Sequence, residues 1–320
     1  MALFLTESDV LELLPMERAI ERIESSFIAQ HQGEAINRSR ERIFLPHSSL
    51  HYMAAALPAD NLLGMKIYTV TRSAWRFVVL LFDAASGALL AVLEADHLGR
   101  IRTGVASGVA TKFMARREAS RAGVIGTGRQ ARTQLEAVAR VRKLTEARVF
   151  GRDEKRRRDF CKEMTERLGF TVEPVESAEA AVRPADIVIA ATTSSQPVVR
   201  GAWLRPGSHV NAIGANMEDR RELDDAAISR AGVIAVDSRE QARRESGDLI
   251  QGLISANRGW ESVQELHEIV GGSARGRYSE EEITIFKSNG IALWDVAAAG
   301  YVYRQALEQG RGRKLEVCGD

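Results

Sequence analysis

The sequence predicts an α/β fold: a doubly wound parallel sheet joined to a smaller α+β domain. Three observations predict it. The segments before Ala95 read as short strands joined by turns. From Arg121 onward, strand and helix alternate at the spacing of right-handed crossovers. A glycine-rich turn also separates the first of these later strands from its helix. The 320 residues are about twice a common domain length, which agrees with two domains.

In chain order, the amino-terminal stretch reads as helix. Thr6 and Asp9 have capping-box spacing, and Val10, Leu13, Leu14 and Ile20 keep a helical period. Strands are expected at residues 42–45, 50–54, 64–69, 77–83 and 88–94. Asp83-Ala-Ala-Ser-Gly87 forms the turn between the last two, so this part reads as a mostly antiparallel sheet. Residues 102–116 read as a helix whose alanines and glycines suit close packing. The alternating part then places strands at 122–125, 147–150, 170–175, 186–191, 209–214 and 232–237, with helices at 130–140 and 153–168 and a further strand at 283–287. The final helix, 291–309, is apolar enough to pack back on the first domain. The expected division is 1–116 with 291–320 as one domain and 117–290 as the other.

Composition excludes several classes. Forty-four basic against 43 acidic residues leave a net charge of +1, without the basic field of a nucleic-acid binder. Hydrophobic residues at 45% and charged residues at 27% suit a sizeable core and exclude a disordered chain. Cys161 and Cys318 are too few and too far apart for a disulfide framework or a metal site, and no metal is expected. No apolar run reaches the ~18 residues of a membrane span, and Glu7 and Asp9 interrupt the stretch a signal peptide needs. The chain reads as soluble and cytoplasmic.

The sharpest motif is Gly126-Thr-Gly128-Arg-Gln-Ala131, a GxGxxA between strand and helix. Gly126 permits the tight turn, Gly128 lets a pyrophosphate approach the backbone, and Ala131 keeps the helix close to the sheet. In that context the motif predicts a dinucleotide-binding domain of the Rossmann type. The next strand ends Val149-Phe150-Gly151-Arg152-Asp153, with glycine where an NAD enzyme usually carries an acid for the ribose hydroxyls. Arg152 suits a 2′-phosphate, helped by Lys155 and Arg156, so NADP(H) is favoured over NAD(H). Two other readings stand beside this one: a solvated, charge-rich helix start, and Asp153 serving the ribose from further along. Lys66 draws attention for a separate reason, as a lysine between Met65 and Ile67 in an otherwise apolar strand.

The motifs together resemble the ornithine cyclodeaminase/μ-crystallin family. They are Gly64-Met-Lys66, Ile101-Arg102-Thr-Gly-Val-Ala-Ser107, Gly126-Thr-Gly-Arg-Gln-Ala131, Asn211-Ala-Ile-Gly214, Arg221-Glu-Leu-Asp224, Glu245-Ser-Gly-Asp248 and Phe286-Lys-Ser-Asn-Gly290, in family order over nearly the whole chain. The resemblance implies a homodimer formed through the amino-terminal sheet and an active site between the two domains. It also implies residue roles. Arg42 and Lys66 would hold the substrate carboxylate, with Arg40 competing for the place of Arg42 because the alignment there is loose. Arg102 would lie between cofactor and substrate, and Asn289 would face the substrate. Arg129 and Gln130 would contact the pyrophosphate, Thr192 the cofactor at the sheet edge, Ile213 and Gly214 the region of the nicotinamide, and Ser288 its end. Lys66, Arg102 and Asn216 are the catalytic candidates.

Three departures from the cyclodeaminases shift the expected reaction. Asn216 stands where they carry a proton-moving aspartate, and an amide has no titratable group and can only orient by hydrogen bonds. Glu218, Asp219 and Asp224 are the nearby acids that would have to replace it. The strand Leu50-His51-Tyr52-Met53 lacks a carboxylate for a distal amine, and Trp294 occupies a usual glutamate position. His51 and Tyr52 could instead contact the substrate or donate a proton, although His51 alone reads more readily as a half-buried strand histidine. The expected activity is therefore NAD(P)H-dependent reduction of small cyclic ketimines, Δ1-pyrroline-2-carboxylate or Δ1-piperideine-2-carboxylate, to L-proline or L-pipecolate. The alternatives are ornithine or lysine cyclodeaminase with catalytic NAD+, an amino-acid dehydrogenase, or a non-catalytic NADP-binding protein of the crystallin kind. A small imino or amino acid and a second copy of the chain are the expected partners.

Overall fold

The computed structural model describes residues 1–316, so Cys318 lies outside the described residues. The chain divides into two compact units, Met1–Arg102 with Gly290 onward, and Thr103–Asn289.

The first unit opens with β1 (Ala2–Leu5), α1 (Glu7–Leu13) and α2 (Met16–His31). The Thr6–Asp9 capping box forms as expected. The helical reading of this stretch needs two corrections, however. Ala2–Leu5 is a strand, and Pro15 forces Leu14 out of helical geometry, so two helices form instead of one. Next come β2 (Ile36–Asn37), β3 (Glu41–Phe44), β4 (Ser48–Leu57), β5 (Leu62–Thr71), β6 (Trp75–Asp83) and β7 (Leu89–Glu94). Strands β3 to β7 pair antiparallel in sequence, while β1 runs parallel to β7. Asp83 closes the turn before β7 by accepting from Ser86 N–H and Ser86 Oγ. The helix α3 (Asp96–Met114) begins six residues earlier than expected because Glu7 caps it, accepting from the N–H groups of Asp96 and His97. The division between the units falls inside this helix, whereas the sequence placed it after residue 116.

The second unit follows with β8 (Arg121–Ile125), α4 (Arg129–Val141), β9 (Glu146–Phe150), α5 (Glu154–Leu168), β10 (Thr171–Pro174), α6 (Ala178–Val182), β11 (Ile187–Ala190), β12 (His209–Ala212), α7 (Asp225–Arg230), β13 (Ala231–Val236), α8 (Arg239–Glu245), α9 (Gly247–Ser255), β14 (Val263–Glu265), α10 (Leu266–Val270) and β15 (Ile283–Lys287). Its sheet is parallel throughout, in the order β10-β9-β8-β11-β12-β15-β13-β14. All residues of β11, β12 and β15 are buried, as a parallel sheet covered on both faces requires. Gly104 and Gly108 of α3 bring that helix onto α4: a Cβ at Gly104 would lie 2.5 Å from the Thr133 carbonyl oxygen, and one at Gly108 3.1 Å from that of Ala137.

The chain returns to the first unit with α11 (Ala292–Glu308) and β16 (Arg313–Leu315). The first sheet then reads β16-β1-β7-β6-β5-β4-β2, with β3 on β4. Helix α11 packs on it closely enough that a Cβ at Gly64 would sit 2.6 Å from Val296 Cγ2.

Candidate functional site

Two groups of side chains carry chemistry, one in each unit. In the first, Lys66 lies in the middle of β5, where a two-residue period places it on the face with Gly64 and Tyr68. Its ammonium is 2.8 Å from Asp295 Oδ1, contributed by the first turn of α11. Arg102 Nε donates to the same oxygen at 3.1 Å. Lys66 is 3% exposed and Asp295 is fully buried. Two cations thus share one oxygen of a single carboxylate, and Arg102 Nη1 is buried without a hydrogen-bond partner among the described residues. Burial, followed by the repulsion of Arg102, lowers the Lys66 ammonium to about 8 against the pull of Asp295. An arrangement with one positive charge in excess, away from water, is suited to receive an anion.

The two arginines of β3 and its approach separate here. Arg40 is buried, donates to the Gly290 carbonyl at 3.1 Å, and repels the Lys66 ammonium. Arg42 is half-buried, pairs across β4 with His51, and acts on that imidazole. Lys66, Arg102 and Arg40 therefore come together, and Arg42 lies one rung along. His51 is more buried than the sequence suggests. It stacks on Tyr68 at 4.4 Å between centroids and hydrogen-bonds Ser49 Oγ at 2.8 Å. Burial, with Arg42 and Arg40 nearby, lowers it to about 4, so it is neutral at pH 7. Trp294 is a core residue, edge-on to Phe27 at 5.5 Å and 5.7 Å from the Arg102 guanidinium carbon.

In the second unit, the glycine motif occupies the β8–α4 turn. Gly126 has φ +107°, and a Cβ there would lie 2.4 Å from the Ala191 carbonyl oxygen, so both conformation and contact demand glycine. A Cβ at Gly128 would meet nothing within 4 Å. Helix α4 starts at this open position with no side-chain cap and no acid in its first turn, leaving its N–H groups and dipole for an anion. These features fit the pyrophosphate of a dinucleotide. Arg129 is exposed and Gln130 half-buried in the first turn of α4. Thr192, Ile213 and Gly214, and Ser288 and Asn289 follow β11, β12 and β15, so these positions, like the glycine turn after β8, lie at carboxyl ends of strands, whereas Arg102 lies within α3.

The end of β9 bears on the choice of nucleotide. A Cβ at Gly151 would lie 2.9 Å from the Thr127 side chain, so an acid there would require that side chain to move. Asp153 is committed as the N-cap of α5, accepting from Arg156 N–H, while Arg152 is exposed. Near Asn216, Glu218 and Asp219 are exposed, and Asp224 caps α7 by accepting from Ala227 N–H and also from Gly201 N–H.

The profile of the ornithine cyclodeaminase/mu-crystallin family matches residues 1–310. The chain belongs to this family. A Δ1-pyrroline-2-carboxylate reductase of Bacillus cereus is 38% identical over 287 residues, spanning 85% of this chain and 87% of that protein. The structure of Thermococcus litoralis Δ1-pyrroline-2-carboxylate reductase with NADH and L-proline matches with a TM-score of 0.94 and 37% identity, covering 98% of this chain and 100% of the other. An archaeal alanine dehydrogenase dimer with bound NAD matches with a TM-score of 0.92 and 32% identity, covering 98% and 99%.

Sequence reasoning did not single out several polar residues of this ornithine cyclodeaminase/mu-crystallin family member. Asp295 is one. Asp237 is another, its Oδ2 accepting from Ser288 Oγ at 2.9 Å and Asn289 N–H at 2.8 Å. Glu222, Asp248 and Lys287 form a third, fully buried set. The available signal was an acid or lysine inside an apolar or glycine-rich segment, as at Lys66.

Proposed function

We propose that this protein is an NAD(P)H-dependent oxidoreductase that reduces small cyclic ketimines, Δ1-pyrroline-2-carboxylate or Δ1-piperideine-2-carboxylate, to L-proline or L-pipecolate. The observation that carries the reading is the buried cluster in which Lys66 and Arg102 share one Asp295 oxygen. The likeness over almost the full chain to a reductase structure holding NADH and L-proline supports it.

In this reading Lys66 and Arg102, with Arg40 in preference to Arg42, hold the substrate carboxylate and fix the place of the alpha carbon. The second-unit residues hold the nucleotide: Gly126, Gly128, Arg129 and Gln130 at the pyrophosphate, Thr192, Ile213, Gly214 and Ser288 along the nicotinamide half. Asn289 faces the substrate. When bound, the reduced nicotinamide supplies a hydride to the alpha carbon, and the protonated imine nitrogen becomes a secondary amine. Lys66, held near pH 8, keeps a proton beside the substrate at neutral pH. Asn216 orients by hydrogen bonds and exchanges no proton. Of the three acids that would have to replace it for cyclodeamination, Asp224 is spent on a cap and the other two face solvent.

NADP(H) is favoured over NAD(H), supported by exposed Arg152, glycine in place of an acid at position 151 and the committed Asp153. A homodimer is supported by the apolar side chains that the first unit exposes, including Phe44 at 65% and Trp75 at 58%. The test is direct. Purified protein with NADPH or NADH and each cyclic imine is expected to consume the nucleotide and yield L-proline or L-pipecolate. Ammonia release from L-ornithine without net NADH would support a cyclodeaminase, and net NADH from L-alanine a dehydrogenase. Either result without imine turnover overturns the reading.

A further inference from the structure

Glu222 sits between two loops at carboxyl ends of strands. Its Oε1 accepts from Thr192 N–H at 2.6 Å and Thr192 Oγ at 2.8 Å, just after β11. Its Oε2 accepts from the N–H groups of Gly214 at 2.6 Å and Ala215 at 3.3 Å, just after β12. The carboxylate is fully buried. The loops meet here so closely that a Cβ at Gly214 would lie 2.1 Å from the Thr192 carbonyl oxygen and 2.6 Å from Glu222 Oε1.

A second layer holds Glu222 itself. Asp248 Oδ1 accepts from the N–H groups of Glu222 at 2.7 Å and Leu223 at 2.8 Å, and its Oδ2 lies 3.0 Å from Lys287 Nζ. Lys287 also donates to the Ala215 carbonyl, closing the ring back on the β12 loop. All three side chains are inaccessible to solvent. Burying two carboxylates and one ammonium is expensive, and an apolar core would hold two loops together at lower cost. The arrangement specifies the positions of particular backbone groups, which apolar packing does not.

Those groups have a place in the sheet. The glycine turn after β8 and the end of β9 serve the pyrophosphate and adenosine ribose, so a dinucleotide crossing the β8/β11 switch point lays its other half over β11 and β12. We propose that Glu222 is a positioning residue for the nicotinamide half of the cofactor, joining the Thr192 and Gly214–Ala215 loops into one rigid shelf while Asp248 and Lys287 fix its own backbone. The proposal rests on the dinucleotide reading above and adds to it the residue that sets the shelf.

The test is Glu222→Gln, whose amide places an NH2 group against N–H donors on one side or the other. Affinities are measured by fluorescence and calorimetric titration well below the melting temperature. NADH is expected to bind roughly ten- to a hundredfold more weakly, while ADP-ribose, which lacks the nicotinamide, binds as to wild type. The deuterium isotope effect on kcat with 4,4-dideuterated NADH is expected to rise, because a displaced ring makes hydride transfer slower. Equal weakening of NADH and ADP-ribose would make Glu222 merely structural and overturn the proposal, as would unchanged NADH affinity. Should the variant not fold, Thr192→Val removes the hydroxyl donor to Oε1, together with the acceptor of Ser194 N–H, and is expected to show the same selective loss at smaller size; its absence would equally overturn the proposal. Failure of the wild-type protein to bind NADH or NADPH would instead defeat the cofactor reading itself.

Discussion

Replacing Lys66 with methionine keeps most of the length of the side chain and removes one of the two charges that share the Asp295 carboxylate. A unit charge about 4 Å from a substrate carboxylate is worth roughly 4 kcal/mol at an effective dielectric of about 20. Arg102 remains and recovers part of this, so a loss of about 3–4 kcal/mol is expected, or roughly 10²–10³ in kcat/KM for the imino acid. NADH affinity, set in the other unit, is expected to stay within about twofold. Stability is expected to move the opposite way from activity. Burial holds the folded Lys66 at about 8, below its ordinary 10.5, so charging it opposes folding fully below pH 8 and progressively less from there to 10.5. Methionine removes that penalty, and the melting temperature at pH 7 is expected to equal or exceed the wild-type value. Steady-state kinetics, an NADH fluorescence titration and a thermal melt make the three measurements. A fall in kcat/KM of less than tenfold, or an equal loss of NADH affinity, would refute the carboxylate-clamp reasoning.

The same lysine sets a pH dependence. Its charged form binds the anion, so affinity for pyrrole-2-carboxylate, a planar ligand whose ring nitrogen does not titrate in this range, is expected to fall as pH rises through about 8; a flat profile between pH 7 and 9.5 would contradict it. Arg40→Met is expected to raise KM for the imino acid at least tenfold and Arg42→Met less than threefold, because Arg40 is the buried neighbour of Lys66; reversed effects in steady-state kinetics would return the role to Arg42. Arg152→Ala is expected to raise KM for NADPH roughly tenfold or more and leave that for NADH nearly unchanged. Equal effects on the two nucleotides would remove Arg152 from the 2′-phosphate site.

Much of this protein is local and therefore legible. The GxGxxA turn, the Thr6–Asp9 capping box and the continuous apolar strands of the second sheet depend on residues within a few positions of one another, and each formed as expected. Lys66 was conspicuous because a charge in an apolar strand is costly without a partner. Its partner was not visible. Asp295 is 229 residues away and, as one residue of a helix, looks like an ordinary exposed acid. Short elements were missed for a related reason. Ala2–Leu5 has no strand signature of its own and is held as a strand by β7 and β16, which lie far along the chain.

The sequence by itself determined the alternation of strands and helices in the second unit, the glycine turn and the family, because propensity, period and motif are properties of neighbouring residues. The tertiary structure alone decided which charges face one another. It chose Arg40 as the companion of Lys66, gave Asp295 to two cations, spent Asp153 and Asp224 on helix caps, and enclosed Glu222, Asp248 and Lys287 in one network. The role of a charged group follows from its burial and its partners, and the folded chain sets both through contacts distant in sequence.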